Sequence, residues 1–289
     1  MKDRLGYSWV AEYNAHVNRV SAGRNVPNLE RLSVLAATIM LAYALNRFME
    51  IPARTFELQL PGIFISTELN DNILTALLVA ALTAAGVDWL FRDHPTQSGK
   101  RILPHLLLPA TTALMIGIPL NQLSAGVLWW VGLLFGTVVL VAVILAEYVV
   151  LDEQDTRYPL AAAGLSAVAF TIYLILASAL RAAGTRLFFM LPTVLLATWL
   201  VSLRSLNLRL HGEWVVYEAA IVAFLVGQLA AATHYWPLAP VRFGLILLGP
   251  AYALTGLFTG LIEVRRRREL LLEPILVLGI SWIGALILS

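Results

Sequence analysis

About nine apolar stretches, each long enough to cross a bilayer as a helix, occupy most of the 289-residue chain. A helix needs about 20 predominantly apolar residues to cross a hydrocarbon core roughly 30 Å thick. Charged residues make up 13% of the chain, whereas a typical soluble domain carries about 25%. The sequence therefore predicts an all-α, polytopic membrane bundle. The predicted spans are 32–49, 73–91, 102–120, 125–148, 160–180, 187–203, 214–235, 240–262 and 271–288.

The spans leave one longer polar segment at the N-terminus. We therefore expect two regions, a cytoplasmic tail at 1–31 and a single transmembrane bundle domain at 32–289. Apolar residues in the tail fall three or four positions apart, which is the spacing of one helical face. They are Leu5, Trp9, Tyr13, Val17 and Val20. The tail is predicted to be either an amphipathic helix on the membrane surface or a disordered segment with scattered apolar residues.

The third span differs from the others in its proline content. It contains Pro104, Pro109 and Pro119, and the polar pair Asn121-Gln122 follows closely. Proline is tolerated in a membrane helix when neighbouring groups satisfy the backbone carbonyls that it frees. Residues 102–120 are predicted to form a membrane helix, with a re-entrant or broken segment as the alternative.

The first outer connection has the pattern of paired strands. Residues 55–60 alternate apolar and polar side chains, Pro61-Gly62 follows, and Ile63-Phe64-Ile65 continues the segment. Alternation is the strand period, and Pro-Gly is typical of a turn. We predict a small β-hairpin on the outer face between spans one and two, with an irregular amphipathic lid as the alternative. Because an isolated hairpin is marginal in water, it is expected to pack on the outer ends of the helices.

Lysine and arginine are unevenly distributed between the two sides of the predicted bundle. Cytoplasmic segments of membrane proteins carry an excess of these residues. With a cytoplasmic N-terminus and nine alternating spans, fifteen of the 20 basic residues fall on the cytoplasmic side. We therefore expect a cytoplasmic N-terminus and an outer C-terminus, in a cytoplasmic membrane of bacterial type. The run Arg265, Arg266, Arg267, Arg268 is expected to set this orientation and to attract anionic lipid.

Polar side chains inside apolar spans are the best functional pointers, because each is costly at depth in a membrane. Most of them gather near the cytoplasmic side, which indicates a cytoplasm-facing polar cavity. The candidate cavity residues are Glu218, His105, Arg204, Gln228, Asp88 and Glu147. Glu218 is the strongest candidate because it is the deepest carboxylate, although a structural role is equally supported. Gln228 is expected to face the bundle interior, where a hydrogen bond between helices is the simplest role.

Two of these carboxylates lie close to span ends, which favours a structural interpretation. Asp88 and Glu147 are expected to snorkel toward the lipid headgroups. There they would pair with a nearby arginine, and the candidates are Arg92, Arg101 and Arg204. The alternative is that they contribute to the polar cavity, where they would bind a cation or relay protons.

The histidines do not match a haem or metal site. A haem between two helices needs two histidines at matching depth, but His105 and His234 lie at opposite sides of the predicted membrane. A divalent metal held by Asp88, Asp93, His94 and His105 would follow no ligand spacing that recurs in metal sites. We therefore predict no metal and no cofactor.

The chain also lacks the signatures of several protein classes. Cysteine is absent, which excludes disulfides, thiolate metal sites and a cysteine nucleophile. There is no Walker A loop, dinucleotide fingerprint, zinc-protease motif or nucleophile elbow. No catalytic residue and no nucleic-acid partner are predicted. A carrier for a small solute or ion is favoured, a non-catalytic scaffold or accessory subunit of a membrane complex is second, and a membrane-embedded enzyme is third.

Overall fold

The structure is a computed structural model that describes residues 27–48, 54–60, 63–69, 71–92, 103–124, 126–263 and 267–287. The predicted amphipathic tail lies almost wholly outside these residues. The described elements are α1 (Leu29–Phe48), β1 (Arg54–Leu60), β2 (Ile63–Leu69), α2 (Asp71–Phe91), α3 (Leu103–Gln122), α4 (Val127–Val150), α5 (Tyr158–Ala182), α6 (Leu187–Arg209), α7 (Val216–Thr233), α8 (Pro240–Ile262) and α9 (Arg267–Ile287).

A helix is present at each of the nine predicted spans within the described part of the chain. Six of them, α2 and α4 to α8, are long and apolar enough to cross a membrane. Shorter apolar stretches at 105–121 and 271–287 lie within α3 and α9, while α1 carries charged residues in its end turns. The predicted all-α membrane bundle is confirmed, and the crossing of all nine helices stays a prediction.

The proline-rich third span is one continuous helix, α3, with Pro109 and Pro119 inside it. Proline removes one backbone donor and favours a kink, but the surrounding helix persists when it packs on its neighbours. α3 packs against α2, α4 and α5, and this packing explains why the helix is not broken.

The connection between α1 and α2 contains the two strands expected from its alternating pattern. β1 and β2 pair antiparallel, with Leu60 opposite Ile63 and Arg54 opposite Leu69. This register leaves two residues, Pro61 and Gly62, between the strands, which is the length of a tight hairpin loop. The packing of this hairpin on the helix ends stays a prediction.

Eight of the nine described helices form two groups of four. In the first group, α1 packs on α2 and α4, and α3 packs on α2 and α4. In the second group, α6 and α8 each pack on both α5 and α7, α6 also contacts α8, and α9 packs on the outer side of α8. Close approach of α5 and α8 depends on Gly244, where an added β-carbon would lie 3.1 Å from the backbone oxygen of Leu174.

Each group has its own apolar core, and a third apolar cluster joins them. The core of the first group includes Ile39 and Leu133, and that of the second group includes Tyr173 and Phe243. The joining cluster has residues from α3, α4, α5 and α6, among them Leu165 of α5, which is fully buried. The two groups therefore meet chiefly through α5, which contacts both α3 and α4.

Candidate functional site at the junction of the two helical groups

Three charged or titratable side chains from three helices meet at the junction of the two groups. His105 lies in the first turn of α3, Glu147 near the end of α4 and Arg204 near the end of α6. Arg204 Nη2 donates a hydrogen bond to Glu147 Oε2. His105 Nδ1 lies 2.8 Å from the same carboxylate oxygen and 3.2 Å from Arg204 Nη2. We call these three residues the junction cluster, and the end of the bundle that holds them the cluster end.

The ion pair in the junction cluster is buried. The side chain of Glu147 is 0% exposed and that of Arg204 is 5% exposed, while His105 retains 16%. The expectation that Glu147 snorkels near the headgroups is therefore wrong, although its predicted pairing with Arg204 is confirmed. The physical reason is that α6 continues six residues beyond the predicted span end at 203, so that Arg204 lies in a buried stretch of the helix and contacts Glu147.

The geometry places a proton on His105 Nδ1. A ring nitrogen either carries a proton or offers a lone pair, but not both. A lone pair directed at the Glu147 carboxylate from 2.8 Å would be repulsive, whereas an N–H donor there forms a charge-assisted hydrogen bond. The contact between Nδ1 and Arg204 Nη2 is therefore proximity and not a second hydrogen bond. His105 thus supports the carboxylate that Arg204 also binds.

Arg204 has a further partner that the sequence interpretation missed. Its Nη1 donates to Asn207 Oδ1 over 3.1 Å, and Asn207 Nδ2 donates to the backbone oxygen of Glu213 over 3.4 Å. Asn207 therefore ties the junction cluster to the loop between α6 and α7. Its place three residues after Arg204 on one helix is a signal that sequence reasoning had available, because residues three apart are neighbours on a helix surface.

Two buried polar atoms of the junction cluster remain without a partner among the described residues. They are Arg204 Nε, a donor, and Glu147 Oε1, an acceptor. Leaving a buried donor or acceptor unsatisfied costs about 1–3 kcal/mol, and more for a charged group. The hydrogen-bonding capacity of the junction cluster is therefore incompletely satisfied, which is uncommon for buried polar groups.

Two cavities lie beside Arg204 along the seam between α3 and α6. The larger is about 480 Å³ and lies between α2, α3, α6 and Trp214, and the smaller is about 120 Å³ and lies between α3, α5 and α6. Leu107, Leu200 and Arg204 line both, so the two are neighbours. We call them the seam cavities. The other side chains that line them are almost entirely apolar. Arg204 is the charged residue in the lining of each cavity.

The other sequence candidates lie outside the junction cluster. Glu218 is partly exposed in the first turn of α7, and no described residue forms an ion pair or hydrogen bond with its side chain. Its functional role stays a prediction. Asp88 pairs with Arg92 one helical turn later, over 2.8 Å, as its structural interpretation expected. Gln228 is exposed on the outside of α7, so the expectation that it faces the interior is wrong. The buried side of α7 is instead formed mainly by small residues.

A line of buried hydroxyl groups extends from the junction into the second group. Thr198, Ser202 and Ser205 lie on one face of α6 at spacings of four and three residues. Ser202 and Thr255 Oγ atoms are 3.1 Å apart, and those of Ser205 and Ser166 are 3.4 Å apart. The spacing on α6 was visible in the sequence, but the partner helices were not. These hydroxyls explain how α6 packs closely on α5 and α8.

The described residues contain no group of three or more histidine, aspartate or glutamate side chains arranged to hold a metal ion. Residues 51–288 match the sequence profile of DUF5656, a family described as proteins of unknown function. No curated protein and no solved structure matches the chain.

Proposed function

The chain belongs to the DUF5656 family, and we propose that this member is a membrane carrier for a small molecule. The observation that supports the proposal is the buried ion pair between Glu147 and Arg204, which joins the two helical groups beside the seam cavities. In this proposal the seam cavities hold the carried molecule, and the junction cluster keeps the cluster end closed until the groups move apart.

A carrier needs two helical units that can change their relative position around a binding site. Many membrane carriers work by rocking one bundle of helices against another. The division into two four-helix groups, each with its own apolar core, offers such units. The line of contact through α5 would serve as the pivot, because the cavities on the α3–α6 side leave that seam less tightly packed.

A buried ion pair is better suited to selecting one arrangement than to adding stability. Its desolvation cost offsets much of its Coulombic gain, so apolar replacements of similar size are often neutral or stabilising. Here the pair lies between moving units, where separation of the groups would expose and hydrate both charges. Glu147 and Arg204 are therefore proposed to favour the closed cluster end, with His105 supporting the carboxylate.

The proposal is tested by measuring distances between spin labels in lipid nanodiscs. Because the chain has no cysteine, pairs of introduced cysteines are the sole labelling sites. One pair, Arg92→Cys with Glu213→Cys, reports on the two groups at the cluster end. A control pair, Glu213→Cys with Glu263→Cys, lies within the second group. Each pair is compared in the native background, in Glu147→Gln and in the apolar double variant Glu147→Met/Arg204→Leu.

We expect Glu147→Gln to lengthen or broaden the between-group distances by more than about 2 Å, the scale of a genuine rearrangement. The within-group distances should stay as they are. The apolar double variant keeps the volume of the junction and guards against simple misfolding of the single variant. Unchanged between-group distances in folded protein of both backgrounds would contradict the carrier proposal.

The carrier proposal uses the orientation derived from the basic residues. The cluster end then faces the cytoplasm, the C-terminus lies outside, and Arg265 to Arg268 face anionic lipid on the inner leaflet. This arrangement would make the junction cluster a cytoplasmic gate. The positive-inside distribution of fifteen of the 20 basic residues supports it.

A second candidate function is that of an accessory subunit in a membrane complex, and Gln228 favours it. This amide is exposed on the outer surface of α7, among the exposed apolar residues Ile221, Phe224 and Leu225. A polar side chain on a lipid-facing surface is costly unless another helix covers it. Unchanged between-group distances combined with a partner that co-purifies with native protein and not with Gln228→Leu would support this function instead.

A further inference from the structure

We propose that His105 is a proton-binding site and that its protonated ring replaces Arg204 as the counter-ion of Glu147 when the two helical groups separate. The carrier would then take up one proton, from the water at the cluster end, each time that end opens. This inference rests on the carrier proposal and adds the coupling ion to it.

The three residues of the junction cluster are divided unequally between the two groups. His105 lies on α3 and Glu147 on α4, which pack against each other in the first group. Arg204 lies on α6, in the second group. Arg204 Nη2 and, over 2.8 Å, His105 Nδ1 donate to the same atom, Glu147 Oε2. Separation of the groups would therefore remove Arg204 from this carboxylate and leave His105 beside it.

In the closed arrangement the charges of the junction cluster balance when the His105 ring is neutral. Glu147 contributes one negative charge and Arg204 one positive charge. A second proton on the ring would be attracted by Glu147 and repelled by Arg204, whose Nη2 is 3.2 Å from Nδ1. The two effects oppose each other, so the closed arrangement offers a positive ring little electrostatic gain.

Separation of the groups changes this balance, because it removes the repulsion and keeps the attraction. Glu147, which is 0% exposed in the closed arrangement, would lose its arginine partner, and an unpaired buried charge is strongly destabilising. A proton that forms an N–H bond at Nε2 of His105 restores a pair within the first group, since Nδ1 already donates to Glu147. The open arrangement therefore binds the proton more tightly. By reciprocal linkage, acidification favours opening of the cluster end.

His105 is better placed than Glu147 to accept this proton. Its side chain retains 16% exposure, whereas that of Glu147 has none, so a proton can arrive from the surface at the ring. No described residue forms a hydrogen bond with Nε2, the nitrogen that would accept the proton. An unperturbed imidazole titrates near about pH 6.5 and an unperturbed glutamate near about pH 4.3, so the ring is the stronger base.

The other helices packed against α3 also carry titratable or charged groups at the cluster end. Asp88 and Arg92, at the end of α2, pair with each other over 2.8 Å. Tyr148 on α4 and Tyr158 on α5 are phenols, which titrate near about pH 10 when unperturbed. These groups therefore do not take up a proton between about pH 8 and pH 5.5, the range in which an imidazole titrates.

The first experiment asks whether a protonated His105 can take the place of Arg204. Denaturant unfolding in detergent, at about pH 8 and about pH 5.5, compares the native protein, Arg204→Leu, His105→Asn and the double variant. The asparagine amide can still donate to Glu147 but takes no proton. Acidification should lower the effect of Arg204→Leu on the unfolding equilibrium constant by at least about fivefold, the lower end of usual coupling between two sites. In the His105→Asn background this recovery should be absent.

A matched control is His211→Asn, which removes another histidine at the cluster end. His211 follows α6 and stacks on Tyr158, with the ring centroids 5.4 Å apart. Its φ of 51° is one that asparagine tolerates. Recovery of Arg204→Leu should persist in this background. Recovery that persists without His105 would show that Glu147 itself takes the proton, and no recovery with His105 present would show that the ring does not replace Arg204. Either result would overturn the proposal.

The second experiment measures whether the proton is coupled to opening. The spin-label pair Arg92→Cys with Glu213→Cys is measured in nanodiscs at the same two pH values. Acidification should raise the ratio of long to short distances by at least about fivefold in the native background, and His105→Asn should abolish this rise. The within-group pair should not respond. No rise in the native background, or an equal rise in His105→Asn, would overturn the coupling.

The two experiments also separate this inference from the carrier proposal. Movement in Glu147→Gln, without any effect of pH on the native distances, would overturn the coupling and leave the carrier proposal standing. Recovery of Arg204→Leu by acid, without movement in any background, would leave His105 as a proton-binding site and contradict the carrier proposal.

Discussion

Arg204 and Arg209 lie five residues apart on α6, and both pair with a glutamate, yet their surroundings differ. The side chains of Arg204 and Glu147 are 5% and 0% exposed, whereas those of Arg209 and Glu273 are 22% and 45% exposed. At 3.6 residues per turn, five residues rotate the helix by about 140° beyond a full turn. Arg204 therefore faces the first group, and Arg209 faces α8 and α9.

The two arginines also differ in how they are held. Arg209 stacks over the ring of Tyr252, 5.1 Å from its centroid, and donates to the Tyr252 hydroxyl over 2.8 Å. That hydroxyl donates in turn to Glu273 over 2.9 Å. The groups around Arg209 are thus hydrogen-bonded and partly exposed, whereas one donor of Arg204 is buried without a partner among the described residues. The comparison indicates that the Arg209–Glu273 ion pair holds α9 against the second group. The Arg204–Glu147 pair joins the two groups, at the cost of an unsatisfied buried donor.

The largest expected effect comes from breaking the buried pair. Removing one partner leaves an unpaired buried charge, so Glu147→Gln and Arg204→Leu should each lower the free energy of unfolding by about 3–5 kcal/mol. The double variant Glu147→Met/Arg204→Leu should recover most of this loss, because no buried charge remains. Denaturant unfolding in detergent measures all three. If the double variant lost as much free energy of unfolding as the two single variants lose together, the junction would depend on the charges themselves.

The matched changes at the other pair should have a much smaller effect. Arg209→Gln and Glu273→Gln should each lower the free energy of unfolding by no more than about 1 kcal/mol, because exposed ion pairs are weak. The loss should shrink further at high salt, where exposed charges are screened. The same unfolding assay, repeated at low and high ionic strength, checks both points. A loss as large as that of Arg204→Leu would remove the contrast between the two arginines.

The smallest effect is expected at a third ion pair, in the loop between α4 and α5. The Arg157 guanidinium donates to Asp155 and holds the pKa of that carboxyl below its usual value. Since the pKa of an unfolded aspartate is about 3.9, the contribution of Asp155 is present above that pH. It is lost as pH falls through the lower folded pKa. Asp155→Asn should therefore cost about 0.5 kcal/mol or less at pH 7, with allowance for solvent screening.

The check for this last prediction is a pH series of unfolding measurements on the native protein and Asp155→Asn. The difference between them should be constant from pH 7 to about pH 5 and should decline below about pH 4. A difference that grows on acidification would mean that the carboxylate destabilises the loop, contrary to its hydrogen bonds with Arg157.

The helices and strands could be predicted closely because the hydropathy pattern of each segment indicates the structure of that segment. Every predicted span has its helix, and the alternating residues on either side of Pro61-Gly62 form the paired strands. The end of α6 was missed because Arg204 and the polar residues after it interrupt the apolar run. Those residues remain helical since their polar groups find partners on other helices, and such partners are not visible in a hydropathy pattern.

The candidate site was predicted in its residue types and not in its arrangement. His105, Glu147 and Arg204 were singled out because ionisable groups in apolar spans are costly. The position of each residue along its own span favoured Glu218 over Glu147 as the deeper carboxylate. That position does not show which side of the helix is covered by neighbouring helices. Gln228 failed for the same reason, because a 3.6-residue period in a uniformly apolar helix does not distinguish an inner from an outer face.

The sequence by itself determined that this chain forms apolar helices, where they begin and end to within four residues except at the end of α6, and that it has no cysteine. Tertiary structure decided which polar groups meet. Arg204 and Glu147 are 57 residues apart in the chain, and their pairing depends on how the two four-helix groups pack. Hydrophobic burial acts on each segment separately, whereas a buried charge requires a specific partner that only the folded arrangement brings within reach.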